Sequence, residues 1–283
     1  MGEQMEQVMP MLDITMIEFL KKPILDHGYV GVVESWGSDE IIIESARMSV
    51  GRGFISWEPY KRCKKCEVII KHEIPEGYDG PTRCNHEWVF MTKGDAGLLR
   101  TLYNNRHTTP FEMCGATFEI QAPIMVFREW HRHRTQSYSE MSARYAPLPD
   151  MNYIPTVDRL TSSSTGNKQA SKADWGTELT EGNAELWLAH LETAYRFCES
   201  TYQSGLEVGV PKELARLILP VGRYSRMRAS ANLLNWIRFL TLRLPNNAQW
   251  EIRQYAGQVC EELSMRFPKT MALFGEELLK DAT

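Results

Sequence analysis

Apolar and polar positions along the chain fall into short alternating runs near the start and helical spacing towards the end. The run 28–37 (GYVGVVESWG) is rich in β-branched residues and ends at the turn-forming Gly37-Ser38-Asp39, which predicts a strand. DEIIIESARMS then predicts a helix capped near Ser38 or Asp39. Residues 94–107 (GDAGLLRTLYNNRH) have helical spacing, and 116–122 (ATFEIQA) alternate as a strand does. Pro123 suits the first turn of a further helix, IMVFREWHRHR. Four later segments place apolar residues every three to four positions: ELWLAHLETAYRFCESTYQ, PKELARLIL, the run from Ala229 to Leu242, and AQWEIRQYAGQVCEELSMRF. Short strands followed by several helices point to an α+β fold.

Two stretches break this pattern. Residues 51–93 turn to Gly, Pro, Lys and paired cysteines, and read as an insertion within one catalytic domain spanning 1–283. LTSSSTGNKQASK, from residue 160, is small and polar, so 160–182 is expected to be a mobile surface loop.

Composition narrows the class. An apolar fraction of 43% is ample for a packed core, and a net charge of -4 gives no general attraction to nucleic acid or anionic membrane. No run approaches the roughly eighteen apolar residues that a membrane helix needs. The start, MGEQMEQVMPMLD, lacks the charged-then-apolar pattern of a signal peptide. A soluble, cytoplasmic protein is expected. Cys114, Cys198 and Cys260 lie scattered in apolar patterns and read as buried small hydrophobes of a reducing compartment.

The densest polar segment is REWHRHRTQSYSEMSARY, residues 128–145. It gathers Arg128, His131, Arg132, His133, Arg134 and Arg144 around a hydroxyl-rich loop with Ser137, Ser139 and Ser142. Arginine offers a rigid fork of donors that matches phosphate oxygens in pairs, so the cluster suits a phosphorylated ligand. A solvated basic helix end is the competing reading, since cations complement a C-terminal dipole. Nucleic-acid binding has no basic stripe elsewhere to support it.

The order of these residues carries more. Arg132-His133-Arg134, seven residues, then Ser142 resembles the R-H-R-x7-S signature of the flavin-dependent thymidylate synthases. Upstream, His107-Thr-Thr-Pro-Phe-Glu112 is similar to the family's H-x-T-P-F-E segment, and Ser45-Ala-Arg-Met-Ser49 to its A-A-R-x-S stretch. Downstream, Glu213-Leu-Ala-Arg216-Leu-Ile-Leu-Pro220 resembles E-x-A-R-x-x-L-P. Leu242-Arg243 followed by Ala248-Gln249-Trp250-Glu251-Ile252 resembles L-R-x-x-x-x-A-Q-W-E-I. The resemblance spans roughly residues 28–270, with gaps at 51–93 and 160–182.

The resemblance implies that family's fold, a short antiparallel sheet with several helices. It also implies a homotetramer with active sites shared between subunits. The implied reaction takes a one-carbon group from 5,10-methylenetetrahydrofolate to C5 of dUMP, with FAD reduced by NADPH. Arg243, His107 and Glu140 would be catalytic, with Arg243 near the pyrimidine, Glu140 orienting the nucleotide and His107 near the flavin ring. Arg144, Ser142 and Arg216 would hold the dUMP phosphate, Arg216 from a neighbouring subunit, with Glu129 and Arg132 also on the substrate side. Ser49, Thr109, Glu112, Arg132, His133, Arg134, Asn232, Arg238 and Asn247 would line the flavin. No cysteine lies within the signature, which fits a chemistry without a cysteine nucleophile. Ser142 has no His or Asp spaced to activate it, so a phosphate-binding role suits it better than nucleophilic attack. Trp250 and Tyr255 read as core.

Several positions depart from the family. Glu129 stands where Gln is usual, which changes the charge and removes a donor. Ser139 replaces a usual Asn, Leu234 and Arg238 a common Arg and Asn, and Asn247 a common His. These changes leave open hydroxymethylation of dUMP, modification of dCMP, or a non-catalytic nucleotide- or RNA-binding protein on the same fold.

The insertion has its own signal. Cys63-x2-Cys66, seventeen residues, then Cys84-x-His86 is spaced like a zinc ribbon. Structural Zn2+ on Cys63, Cys66, Cys84 and His86 is one reading, with His72 as another ligand candidate. Free cysteines are the other. Four protein ligands would leave no open position for catalysis, and a redox Cys-x2-Cys lacks its usual strand and helix context.

Overall fold

Alternation of inward and outward side chains builds the central sheet. In the computed structural model, which describes residues 22–66, 68–70, 86–162 and 179–281, five strands pair antiparallel in the order β1-β2-β6-β8-β7. They are β1 (Lys22–Ile24), β2 (Gly28–Trp36), β6 (Gly115–Pro123), β7 (Ser137–Glu140) and β8 (Tyr224–Asn232). Central β6 buries Ala116, Phe118, Ile120 and Ala122 on one face and turns Thr117, Glu119 and Gln121 to the other. Its register with β8 puts Phe118 opposite Ala229 and Ile120 opposite Met227, so the apolar faces coincide.

Helices cover that apolar face, as an α+β fold requires. They are α1 (Asp39–Arg47), α2 (Gly94–Asn104), α3 (Thr109–Glu112), α4 (Ile124–Trp130), α5 (Val157–Thr161), α6 (Glu181–Glu207), α7 (Lys212–Ala215), α8 (Leu233–Arg243), α9 (Trp250–Arg266) and α10 (Pro268–Asp281). α8 and α9 pack on the sheet, and α10 packs on α9. Trp130 stacks on Phe239 with centroids 4.6 Å apart, and Trp236 meets Phe118 edge-on at 4.9 Å. Ser38 caps α1 with its side chain, as the sequence pattern predicts.

Three predicted helices change. The helix after Pro123 stops at Trp130, and residues 131–136 form turns, so Arg132, His133 and Arg134 are not on a helix end. Ala229–Asn232 belong to β8, and helix begins only at Leu233, where Asn232 accepts from the Asn235 N–H at 2.9 Å. PKELARLIL forms only the single turn α7 and a 3-10 turn, Arg216–Ile218.

Within 51–93 the described residues form a second sheet of β3 (Tyr60–Cys63), β4 (Ile69–Ile70) and β5 (Trp88–Met91), ordered β4-β3-β5. The stretch rejoins the core at Gly94, whose φ is +52°. A Cβ there would stand 2.5 Å from the carbonyl oxygens of Trp57 and Glu58, so glycine lets the backbones meet. The expected loop lies largely outside the described residues, as do the N-terminal segment through residue 21 and Cys84. Its described flanks are the end of α5, closed at Ser162, and the start of α6, capped by Thr180. No described helix is long and apolar enough to cross a membrane.

Candidate active site

The last residue of α8 draws the dense polar segment together. Arg243 donates from Nη1 to Glu129 Oε2 at 2.9 Å, from Nη2 to the Glu129 carbonyl at 3.1 Å, and from Nε to His133 Nε2 at 2.9 Å. Three nitrogens of one guanidinium therefore fix the end of α4 and the turn after it. Arg243 is only 18% exposed and Glu129 27%, so bulk water screens this pair incompletely. Burial pushes the Glu129 carboxyl above its usual range. The Arg243 charge pulls it back, and Glu251 adds to the rise.

His133 leans on Phe239 edge-on, centroids 4.8 Å apart. Burial, then the Arg243 charge, push its pKa down to about 4. Its Nε2 accepts from Arg243, so the neutral ring carries its proton on Nδ1. The folded value lies below the ordinary 6.5, so on acidification the unfolded chain takes up a proton that the folded one refuses. The stability that His133 contributes is thus complete above 6.5 and is lost as pH falls towards 4. An NMR titration should find this ring neutral down to about pH 4. A ring titrating at an ordinary histidine value would contradict the arrangement.

A second cluster forms where the loop after β7 meets α7. Arg144 lies 3.5 Å from the Glu213 carboxylate, and Arg216 Nε donates to the Glu213 carbonyl at 3.3 Å. Ser142 Oγ accepts from the Arg144 N–H at 3.3 Å, and its carbonyl accepts from the N–H groups of Tyr145 and Ala146. Both arginines are exposed, so their remaining donors face solvent. Two guanidiniums and a hydroxyl turn can hold a phosphate dianion. Glu140 is exposed on edge strand β7, opposite Met227 of β8 and two residues from this turn.

Of the residues expected on the flavin side, His133 stands against Arg243, whereas Ser49, Thr109, Glu112 and Asn232 lie towards the other end of α8, about 16 Å away at 1.5 Å per residue. α3, carrying Thr109 and Glu112, packs on both α1 and α8, and Ser49 sits in the 3-10 turn that follows α1. Ser49, Thr109 and Glu112 are exposed. His107 lines a shallow apolar cleft with Leu102, Phe111, Leu234 and Ile237. The turn carrying exposed Arg132 and Arg134 runs along α8, where Asn235 Nδ2 meets the Thr135 carbonyl at 3.5 Å. Arg238 donates to Asn235 at 3.1 Å from the exposed side of the same helix. Exposed hydroxyls and guanidiniums beside an apolar cleft fit a flavin with its phosphates. Asn232 spends its side-chain oxygen on the α8 cap, and exposed Asn247 lies beyond the helix's far end, on the Arg243 side.

In the insertion, Cys63, Cys66 and His86 bring their ligand atoms within 4.8 Å of one another. The expected fourth ligand, Cys84, and the other candidate, His72, lie outside the described residues. Cys114 is fully buried and donates to the Ser38 carbonyl at 3.4 Å, and burial pushes its thiol up to about 11. It is a core residue. Tyr255 is fully buried as expected, whereas Trp250 is only half-buried and lies 5.6 Å from the Arg159 guanidinium.

Two roles went unread in the sequence. Glu213 joins Arg144 and Arg216, and its only signal is its place three residues before Arg216. Arg47 pairs with buried Asp95, at 2.5 and 3.0 Å, which anchors the Ser49 turn to the base of the insertion. Cavities of about 500 and 540 Å3 open elsewhere, by Trp250 and by Tyr195, and none of the signature residues lines them. In the single chain Arg132 and Arg134 stand on open surface, whereas His133 and Ser142 are partly buried.

The thymidylate synthase complementing protein family model matches residues 31–269. The flavin-dependent thymidylate synthase of Thermus thermophilus is 36% identical over 260 residues, covering 92% of this chain and 80% of that protein. That of Anaplasma marginale is 34% identical, covering 92% and 76%. Among solved structures, the UMP/dUMP methylase PolB from Streptomyces cacaoi bound with 5-Br dUMP superposes with a TM-score of 0.65 at 27% identity, covering 88% of this chain and 95% of that one. The same methylase with 5-Br UMP gives 0.65 at 25% identity. The chain belongs to the flavin-dependent thymidylate synthase family.

Proposed function

We propose that this chain transfers a one-carbon unit from 5,10-methylenetetrahydrofolate to C5 of dUMP, giving dTMP, with NADPH as the source of reducing equivalents. The observation that carries the reading is Arg243, held by Glu129 and His133 at the end of α8, in the position that the family pattern gives to the pyrimidine contact. The nucleotide-bound methylase relatives support a uridylate substrate.

The reaction forms a bond between C5 and the folate methylene carbon, breaks that carbon's bond to folate nitrogen so that tetrahydrofolate leaves, releases the C5 hydrogen as a proton, and reduces the transferred carbon to methyl. FAD, when bound and reduced by NADPH, would supply the hydride for that reduction. The chain's own residues bind and orient. Arg144, Arg216 and Ser142 hold the 5′-phosphate, and Glu140 orients the nucleotide. A fixed guanidinium at Arg243 stabilises negative charge that develops on the ring oxygens as C5 becomes nucleophilic. Neutral His133 holds the Arg243 nitrogen without adding a second positive charge.

Subunit sharing fits the surface. α6 runs 27 residues yet buries only Ala184 and Tyr202, while Leu186, Trp187 and Phe197 stay exposed. Leu217, next to Arg216, is 81% exposed. Packing a second copy on this face would cover those side chains and set the Arg144–Arg216 cluster at the seam between subunits.

A second reading rests on Glu129, whose carboxylate partly offsets the Arg243 charge. A weakened guanidinium suits hydroxymethyl transfer, or dCMP in place of dUMP. Purified protein with FAD, NADPH and methylenetetrahydrofolate, given dUMP or dCMP in separate tubes, should return a methyl gain on dUMP by mass. A hydroxymethyl gain, or product from dCMP alone, would favour the second reading. No product in either tube and no retained flavin would sink both. Light scattering on the same sample should give the mass of four chains.

A further inference from the structure

We propose that Cys63, Cys66 and His86 bind a structural metal ion of the zinc class, and that this ion holds the insertion together. Backbone pairing creates the site. Cys63 ends β3 opposite Trp88 of β5, and the Lys64 N–H donates to the Glu87 carbonyl at 2.9 Å. This register carries His86, two residues before Trp88, up to the turn that follows Cys63.

That turn is shaped around a sulfur. The N–H groups of Lys65 and Cys66 donate to Cys63 Sγ at 3.5 and 3.4 Å. Such bonds favour a thiolate, the form that binds metal. Lys61, Arg62, Lys64 and Lys65 flank the two cysteines and offset the charge of two thiolates. The ligand atoms lie within 4.8 Å of one another. Two sulfurs on a tetrahedral Zn2+ at about 2.3 Å stand about 3.8 Å apart, so an ion would draw the group in by about 1 Å at most. The remaining corner falls to a donor beyond these three residues.

The small sheet also needs such an ion. Among its described residues only Tyr60 and Cys63 are buried, and the Tyr60 hydroxyl is spent on Asp95 at 3.2 Å. Three strands of four, two and four residues with so little apolar burial are marginal without a further tie. Two thiolates and an imidazole select a borderline-soft ion over magnesium or calcium.

The test uses the full chain, purified without chelator. Elemental analysis should find a single zinc-class ion per chain, and cobalt exchange should give tetrahedral d–d bands with thiolate charge transfer. Metal retained should fall about tenfold or more in Cys66→Ser and in His86→Ala, both surface positions. Cys198→Ser, on α6, should keep it. Chelation should speed tryptic cleavage at Lys61–Lys65 while the rest of the chain stays protected. Metal-free protein with every thiol free and no cobalt charge transfer would overturn the site. So would full metal retention in both ligand variants, and unchanged cleavage after chelation would overturn its holding role.

Discussion

Arg243→Ala should lower turnover of dUMP by about 10²–10³-fold, the scale seen when one preorganised donor is removed from a developing negative charge. The loss should fall on kcat, because in the proposed site it is Arg144 and Arg216 that hold the phosphate. Arg243→Lys should recover little. A lysine offers a point charge, whereas Arg243 uses separate nitrogens for His133, the Glu129 carboxylate and the Glu129 carbonyl. The alanine variant also strands a half-buried carboxylate, and Glu129 should cost stability once its partner is gone. Adding Glu129→Gln to Arg243→Ala removes that stranded charge. The double variant should regain thermal stability without regaining turnover, which separates a role in chemistry from one in folding. Near-normal kcat in folded Arg243→Ala would remove this residue from the mechanism.

The sequence revealed the fold where apolar residues were large and misled where they were small. β2 and β6 carry Val, Phe and Ile in alternation, and both stand where their pattern predicts them. β8 escaped because its inward residues include Ser225, Ala229 and Ala231, too small to register as a strand, with Arg226 and Arg228 between them. Its last four residues consequently carry the spacing of the helix that follows. β7 (Ser137–Glu140) is a polar edge strand and leaves no periodic trace. Apolar spacing up to Trp130 predicts helix through Arg132–Arg134, where the chain instead turns. The site was legible as a set of motifs, but not as contacts. The spacing from Arg144 to Arg216 says nothing of Glu213 standing between them. Nor does the distance from Glu129 to Arg243 show that they share an ion pair, since the pairing depends on α8 lying against α4's end. In the insertion, Cys63-x2-Cys66 was readable as a turn of fixed size, and the approach of His86 depends on the β3–β5 register.

Asp95→Ala should be the most damaging single change to stability outside the hydrophobic core, costing about 3–5 kcal/mol. Asp95 is fully buried, and its carboxylate accepts from two nitrogens of Arg47, the N–H groups of Ile55 and Ser56, and the Tyr60 hydroxyl. These partners come from α1, the start of the insertion and β3, so one carboxylate closes the joint between insertion and core. Alanine would leave Arg47, with a side chain only 13% exposed, holding a nearly buried charge with no counter-ion. The melting temperature should fall by about 6–20 °C, given about 2–4 °C per kcal/mol for a domain of this size class. The damage should also reach the flavin. Ser49 lies two residues past Arg47, in a turn whose Gly51 N–H bonds back to the Met48 carbonyl. Freed from Asp95, Arg47 would no longer hold that turn, and FAD should dissociate faster from the variant even at temperatures where it stays folded. Arg47→Ala should reproduce the flavin loss, and adding Asp95→Ala to it should cost less stability than Asp95→Ala alone, because no charge is then stranded. A variant that melts within about 2 °C of the parent and keeps its flavin would show that the joint is held by the surrounding backbone and not by this carboxylate.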